Sequence, residues 1–115
     1  MKVLMDTNVL LAFLDNKTDF AGLIKETYLY AELYVLKQSM DEIKAKRKAA
    51  FRHIEEYVKN NGFRVVGGSG KADGLIESWA KANNGVVATR DFALKKRLKR
   101  AGIQVISLKN NKLGL

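Results

Sequence analysis

Short apolar runs of strand length alternate with longer segments of helical spacing along the chain, and this alternation constrains the fold more than any other feature. Apolar residues three or four positions apart predict helices, and compact apolar runs predict buried strands. Strands that alternate with helices form a parallel sheet, because a crossover segment must separate successive parallel strands. We therefore predict an α/β fold of three layers, α/β/α, in which helices cover both faces of a central parallel sheet.

The predicted elements account for most of the chain. Strands are predicted at Lys2–Met5, Leu33–Leu36, Phe63–Val66, Val86–Thr89 and Ile103–Ser107. Helices are predicted at Val9–Leu14, at Phe20–Ala31, from Met40 to Val58 as one long helix or two consecutive ones, from Asp73 to the Asn83-Asn84-Gly85 stop, and at Asp91–Arg100. With 115 residues, of which 47% are hydrophobic, the chain suits one compact domain over residues 1–115.

The net charge of +9 favours a polyanionic partner, with nucleic acid ahead of an anionic membrane surface. A lysine-rich surface without such a partner is an equally good interpretation of the charge alone. The distribution of charge adds to the argument, because Asp91 is the one acid between Arg90 and Lys112. The basic residues of that stretch are Arg90, Lys95, Lys96, Arg97, Lys99, Arg100, Lys109 and Lys112.

The absence of cysteine excludes several kinds of site. It rules out a disulfide framework, a thiolate zinc site and a cysteine nucleophile. It also agrees with a cytoplasmic location, which we expect because the sequence shows no signal-peptide core and no membrane-spanning run. His53, the single histidine, lies in the middle of a predicted helix, where a surface or partly buried position is the usual role.

Three aspartates are expected at the same edge of the predicted sheet. Asp6 follows the first strand, Asp91 follows the fourth, and Asp73 opens a helix after the glycine-rich turn that ends the third. The carboxyl ends of parallel strands share one edge, and ligands bind there where the strand order reverses. Considered singly, each aspartate is more simply explained as a helix N-cap, since Asp is a preferred capping residue.

A cluster of three carboxylates would require compensation. Two unit charges 4 Å apart repel by roughly 4 kcal/mol at an effective dielectric constant of about 20. A divalent cation relieves that repulsion, and hard oxygen ligands suit Mg²⁺ or Mn²⁺. Such a cation within a basic surface is suited to hydrolysing the phosphodiester bonds of a nucleic acid.

Three segments resemble motifs of the PIN-domain nucleases. Val3–Leu10 resembles their first motif, and Lys71–Ile76 resembles their third acidic motif. Val86–Asp91, followed by Leu94, a basic helix and Gly102–Ile106, is similar to their last motif. The second half is most similar to the subgroup associated with ribosomal RNA processing, and the motifs in order cover nearly the whole chain.

The resemblance implies a PIN-like fold, a carboxylate pocket that holds Mg²⁺ or Mn²⁺, and endonucleolytic cleavage of RNA. The metal ligands, direct or through water, would be Asp6, Asp73 and Asp91. The residues that would hold those carboxylates or a metal-bound water are Thr7, Asn8 and Thr89. The candidate RNA-binding residues are Arg90, Lys95, Lys96, Lys99 and Arg100.

The second acid of the family is less well defined in this sequence. The apolar side of the predicted helix is set by Met40, Ile43, Ile54 and Val58. Asp41 and Glu42 lie about equally far from it at about 100° per residue, so the helical spacing favours neither. The resemblance assigns the role to Glu42, with Asp41 as the alternative.

Two further positions bear on activity. Gly74 stands where many relatives carry another acid. Glu77, one helical turn beyond Asp73, could replace that acid, although a solvated i,i+4 neighbour is its simpler role. Arg90 could contact substrate phosphate, or it could pair with Asp91 and lower the activity.

We therefore predict a metal-dependent endoribonuclease, either one that processes ribosomal RNA or the toxin of a toxin–antitoxin pair. The first role implies a ribosome-assembly partner and the second an antitoxin, and relatives often form homodimers. The alternative from another class is an RNA-binding or scaffold module with the same fold and weak or no catalysis. A phospho-receiver or phosphatase-like protein fits less well, because paired acids near the N-terminus and a suitably placed late lysine are missing.

Overall fold

The computed structural model describes residues 1–67, 70–109 and 112–114, without the side chains of residues 72, 73, 109 and 112–114. The strands are β1 Lys2–Met5, β2 Glu32–Leu36, β3 Arg64–Val66, β4 Val86–Thr89, β5 Gln104–Lys109 and β6 Lys112–Gly114. The helices are α1 Thr7–Asn16, α2 Phe20–Thr27, α3 Lys37–Lys46, α4 Phe51–Asn60, α5 Ala72–Asn83 and α6 Phe92–Arg100.

The strands form one sheet in the order β3-β2-β1-β4-β5-β6. Strands β1 to β5 are parallel, and β6 pairs with β5 in the antiparallel direction. At the centre of the sheet, Leu4 of β1 lies in register with Tyr34 of β2 on one side and Val87 of β4 on the other. The predicted parallel sheet is confirmed, and β6 is an addition that the sequence did not predict.

Both faces of the sheet are buried, which explains why its central strands are uninterrupted apolar runs. Successive side chains of a strand point to opposite faces. In β1, Val3 and Met5 pack in the cluster that contains side chains of α1, α2, α3 and α4. Leu4 packs in the second cluster with side chains of α5 and α6. The predicted α/β/α layering is therefore confirmed, with four of the described helices on one face and the other two on the opposite face.

The strand order reverses between β1 and β4. From β1 the chain moves outward to β2 and β3, and it then returns to place β4 and β5 on the other side of β1. The helix after β1 packs on one face of the sheet, and the helix after β4 packs on the opposite face. This divergence opens a crevice at the carboxyl ends of β1 and β4, where open α/β sheets bind ligands.

The structure shortens one predicted helix and decides between the two alternatives left for another. The helix predicted to reach Ala31 ends at Thr27, and the backbone of Tyr28 is extended. Leu29 and Tyr30 are exposed, since the chain turns here to bring β2 into register with β1. The segment predicted as one long helix or two forms two helices, separated at residues 47–50. None of the helices among the described residues is long and apolar enough to cross a membrane.

Candidate active site

Asp6 lies at the carboxyl edge of the sheet, where β1 passes into α1. Its backbone N–H donates to the carbonyl of Ala88 in β4 at 3.1 Å, so the contact between the two strands extends one residue beyond β1. Its carboxylate caps α1, with Oδ1 accepting a hydrogen bond from the backbone N–H of Thr7 at 2.8 Å. Asp6 is only 9% exposed, so the orientation of this carboxylate is set by protein contacts.

Thr89 connects the ends of the two central strands. Its hydroxyl donates to Oδ2 of Asp6 at 3.0 Å and accepts the backbone N–H of Asp91 at 3.0 Å. Thr89 is buried, and a buried hydroxyl with both contacts satisfied has little freedom to rotate. One side chain therefore ties the carboxylate after β1 to the backbone after β4.

Asp91 occupies the equivalent position after β4 and caps α6. Its Oδ1 accepts the backbone N–H groups of Ala93 at 2.9 Å and Leu94 at 3.2 Å. The side chain is exposed, unlike that of Asp6. Within the described part of the chain, Arg90 forms no ion pair with Asp91; its guanidinium carbon lies 6.0 Å from the ring centroid of Phe20.

A second hydroxyl pair joins α1 to α3. The Thr7 hydroxyl donates to Oγ of Ser39 at 2.8 Å, and both side chains are buried. Ser39 is a site neighbour that sequence reasoning did not single out, although a serine beside the apolar Met40 in an amphipathic helix is a detectable signal. The contact places the first half of α3 beside Asp6.

This contact relates the two candidates for the second acid to the side of α3 that faces α1. Residues three apart on a helix are neighbours, so Glu42 lies on the same side of α3 as Ser39. Asp41 is two residues from Ser39, about 200° around the helix. Glu42 is half-buried, and its carboxylate pairs with Lys46 at 2.9 Å. Helix geometry therefore puts Glu42 on the Ser39 side of α3, and its role as the second acid stays a prediction.

Asp73 lies in the first turn of α5, two residues after the N-cap Lys71, and its side chain is outside the described part of the structure. The predicted trio of ligands therefore stays a prediction. Among the side chains that are described, no group of three acidic or histidine residues is close enough to hold a metal ion. The carboxylate of Glu77 lies 4.0 Å from the ammonium nitrogen of Lys81, one turn further along the same helix.

Two clefts flank Arg90 at this edge. One, of about 290 Å³, is lined by Thr89, Arg90, Asp91, Phe92, Lys95, Ser107 and Leu108. The other, of about 340 Å³, is lined by Asn8, Leu11, Ala12, Asp15 and Arg90. Hydrogen bonds from Arg47 lower the pKa of the Asp15 carboxyl below its ordinary value, so Asp15 is a compensated anion. Arg90 and Asn8, two of the predicted site residues, therefore border the same cleft.

The remaining candidate RNA-binding residues lie on α6. Lys96, Lys99 and Arg100 are exposed, and Lys95 is half-buried against the first cleft. Leu94 and Leu98 hold the opposite side of the helix in the core. The described structure therefore presents a basic helix immediately beyond Asp91.

Comparison with known families agrees with this arrangement. The family model described as a PIN like domain matches residues 3–111. The chain belongs to the PIN-like domain family. The match confirms the resemblance seen in the sequence motifs, and it spans the segment from Asp6 to Asp91. The solved structural relatives of the chain include a PIN domain endonuclease.

The structure of the PIN domain endonuclease Utp24 superposes with a TM-score of 0.77 and 27% identity, over 97% of this chain and 88% of that one. The structure of VapBC2 from Rickettsia felis, bound to a DNA fragment from its promoter, superposes with a TM-score of 0.69 and 12% identity. The superposition covers 95% of this chain and 100% of that one. A domain of a functionally unknown protein from Methanocaldococcus jannaschii superposes with a TM-score of 0.66 and 18% identity, over 99% of this chain and 95% of that one. The last two support the fold alone, and a search of curated proteins found no significant match.

Proposed function

We propose that this PIN-like domain is an endoribonuclease that hydrolyses RNA phosphodiester bonds with Mg²⁺ or Mn²⁺. The observation that carries the proposal is the pair of aspartates at the reversal of strand order, joined through the Thr89 hydroxyl. The 27% identity to a PIN domain endonuclease over nearly the whole chain supports the same conclusion. The basic helix beside Asp91 supports a nucleic acid as the substrate.

The donor set at this edge fits a hard divalent cation. It consists of carboxylate and hydroxyl oxygens, and the chain has no cysteine to form a thiolate site. Oxygen ligands suit Mg²⁺ and Mn²⁺. In this proposal Asp6, Asp73 and Asp91 hold the metal, and Glu42 completes the acidic set. A cation bound there would activate a water molecule and stabilise the leaving oxygen.

The surrounding residues position these groups and the substrate. Thr89 fixes the orientation of the Asp6 carboxylate, and the Thr7–Ser39 hydrogen bond holds α3, with Glu42, against the start of α1. Asn8 lies on the exposed side of that start. Arg90 and the basic residues of α6 (Lys95, Lys96, Lys99 and Arg100) contact RNA phosphates, because cations beside the site offset the charge of the strand.

Two roles follow from the sequence resemblance, ribosomal RNA processing and the toxin of a toxin–antitoxin pair. The motifs from Lys71 to Ile106 resemble those of the rRNA-processing subgroup, which favours the first. In that role the partner is a ribosome-assembly component. The toxin role requires an antitoxin, which would co-purify with the protein. A homodimer is compatible with either role, and we propose a cytoplasmic location.

The proposal is tested with a circular single-stranded RNA. Only an endonuclease converts a circle to a linear strand, so this substrate separates endonucleolytic from exonucleolytic cleavage. We expect linearisation in millimolar Mn²⁺ or Mg²⁺ and none in excess chelator, measured by denaturing gel electrophoresis. RNA that is bound but left intact in every metal would overturn the proposed activity.

The alternative, an RNA-binding or scaffold module, also has support in this chain. Gly74 stands where many relatives have an acid, and the nearest substitute, Glu77, lies 4.0 Å from Lys81. Glu42 is likewise engaged, by Lys46 at 2.9 Å. Both ion pairs lie on helix surfaces, where such pairs contribute little energy and can exchange for other partners. Binding without cleavage in the circular-RNA assay would establish this alternative.

Thr89→Val tests the positioning role of the hydroxyl. The substitution keeps the shape of the side chain and removes the hydrogen bonds to Asp6 and Asp91. Loss of a group that orients a metal ligand commonly costs about 10–100-fold in metal affinity or activity, and we expect a loss of cleavage in that range. Thr89→Ser retains the hydroxyl and should keep most of the activity. Equal reductions in both variants would show that packing, and not the hydroxyl, is responsible.

A further inference from the structure

Phe92 is a large apolar side chain exposed beside the candidate active site. It is 68% exposed although it directly follows Asp91. The backbone around it is well held, because the Asp91 carboxylate accepts hydrogen bonds from Ala93 and Leu94. The other exposed large apolar residues in the described part of the chain are Met1, Leu29, Tyr30 and Val65. Of these five, Phe92 is the one that lines the cleft next to Asp91.

Phe92 begins a row of side chains on one side of α6. Residues at positions i, i+3, i+4 and i+7 share a side of a helix, which here joins Phe92 to Lys95, Lys96 and Lys99. The ammonium nitrogen of Lys96 lies 5.2 Å from the centroid of the Phe92 ring. Lys95 lines the same cleft as the ring. The exposed aromatic ring is therefore bordered by cations on the side away from Asp91.

We propose that Phe92 stacks on a base of the RNA strand, next to the phosphate held at the acidic edge, and so selects unpaired RNA. This inference rests on the proposed function. A base offers its flat face to an aromatic ring only where a neighbouring base does not cover it, so a continuous duplex cannot make this contact. Lysines along the same row contact the phosphates on either side, as in single-strand sites that combine cations with aromatic rings.

A protein partner is a weaker occupant for this surface. Lysine is depleted in protein–protein interfaces, and three lysines share a helix side with the ring. A phosphate strand gains from each of these charges, whereas an apolar protein surface would have to desolvate them. The charge next to Phe92 therefore favours RNA.

The test is RNA affinity in chelator, where the strand is not cleaved, measured by fluorescence anisotropy. We expect Phe92→Ala to weaken binding of a labelled single strand by about 5- to 150-fold, the range measured for loss of one aromatic stack. Binding of the same strand in a duplex should change little, and Phe92→Tyr should retain the affinity. Tyr30→Ala is the matched control, since Tyr30 is an exposed aromatic residue in the turn before β2.

Salt dependence separates stacking from charge. Phe92→Ala should lower the affinity without changing the slope of log K against log salt, because stacking releases no counterions. Lys95→Glu and Lys96→Glu together should lower that slope, by about 0.7 for each phosphate of a single strand that the lysines no longer neutralise. A slope changed by Phe92→Ala would mean that the ring acts through the lysines, which would overturn the inference.

An abasic scan of the RNA identifies the stacked base. Removing the base at one position should weaken wild-type binding and leave the affinity of Phe92→Ala unchanged. Stacking would be overturned if each abasic position weakened the binding of Phe92→Ala as much as that of the wild type, or if the two proteins bound the intact strand equally. Either result would leave the proposed metal-dependent cleavage unaffected. The converse result, a Phe92-dependent affinity without linearisation of circular RNA, would overturn the proposed catalysis and leave the stacking site.

Discussion

Asp6→Asn is expected to lower the rate of RNA cleavage by more than about 100-fold. Removal of a residue that only supports a metal ligand costs up to about 100-fold, and loss of a ligand itself should cost more. The reason is the charge of a proposed metal ligand. Asparagine has nearly the same shape as aspartate, and its carbonyl oxygen can still accept the Thr7 N–H. Its amide group would face the Thr89 hydroxyl, whose second lone pair can accept it, while the hydroxyl proton loses the acceptor that it has in Asp6. The substitution therefore removes the negative charge with little change to the cap.

The control for this variant is Asp19→Asn. Asp19 also caps a helix, accepting the Gly22 N–H at 2.9 Å, and it accepts the Tyr57 hydroxyl at 2.8 Å. It shares the chemistry of Asp6 but caps α2, and the described hydrogen bonds of its carboxylate come from Gly22 and Tyr57 and not from the residues that end β1 or β4. We expect its substitution to leave cleavage unchanged, as followed by single-turnover kinetics on labelled RNA. Full activity in Asp6→Asn would contradict the proposed site, and equal reductions in both variants would indicate an effect of capping.

The central strands could be predicted from the sequence because burial on both faces leaves a distinctive pattern. The bounds predicted for β1 and β4 are those observed. Both strands are apolar almost throughout, and a polar residue follows each where the chain leaves the sheet. The same physics predicted the edge at which Asp6 and Asp91 lie, since parallel strands must end together.

Contacts between distant residues could not be predicted in this way. The Thr7–Ser39 hydrogen bond joins residues 32 apart in the chain, and the Thr89–Asp6 bond joins residues 83 apart. Glu42 and Asp41 could not be separated because Met40 and Ile43, the apolar residues of α3, define a direction from which both acids are about equally far. The predicted end of α2 was wrong because the helical spacing includes Tyr28, whose backbone is extended in the structure.

If Asp6 and Asp91 serve only as helix N-caps, their Asn variants should differ in stability from what a metal site predicts. Asn caps a helix about as well as Asp, so if Asp6 and Asp91 only cap, their substitution by Asn should change the free energy of unfolding little. A cluster of carboxylates instead repels itself. Removing one charge should then stabilise the metal-free protein, by about 1–3 kcal/mol once water screening reduces the Coulomb energy.

The difference in burial between Asp6 and Asp91 predicts which of the two Asn variants gains more stability. Asp6 is 9% exposed and Asp91 is exposed, so solvent screens the charge of Asp91 more strongly. We therefore expect a larger gain of stability in chelator for Asp6→Asn than for Asp91→Asn. Asp19 lies outside the proposed cluster, so Asp19→Asn should not gain stability in chelator. The measurement is thermal melting of the wild type and the three variants in chelator.

The same four proteins are then melted in millimolar Mn²⁺. Metal binding raises the free energy of unfolding by RT ln(1 + [L]/Kd), which is roughly 2.7 kcal/mol when the metal is at about 100 times Kd. Only a protein with the complete site gains the full amount. The melting temperature of the wild type and of Asp19→Asn should therefore rise in metal, so that the advantage of Asp6→Asn and Asp91→Asn shrinks or reverses. Parallel shifts of all four proteins between the two buffers would show that no metal is held at these aspartates. The RNA-binding module would then be the better account of the chain, because its basic helix and exposed Phe92 do not depend on a cation.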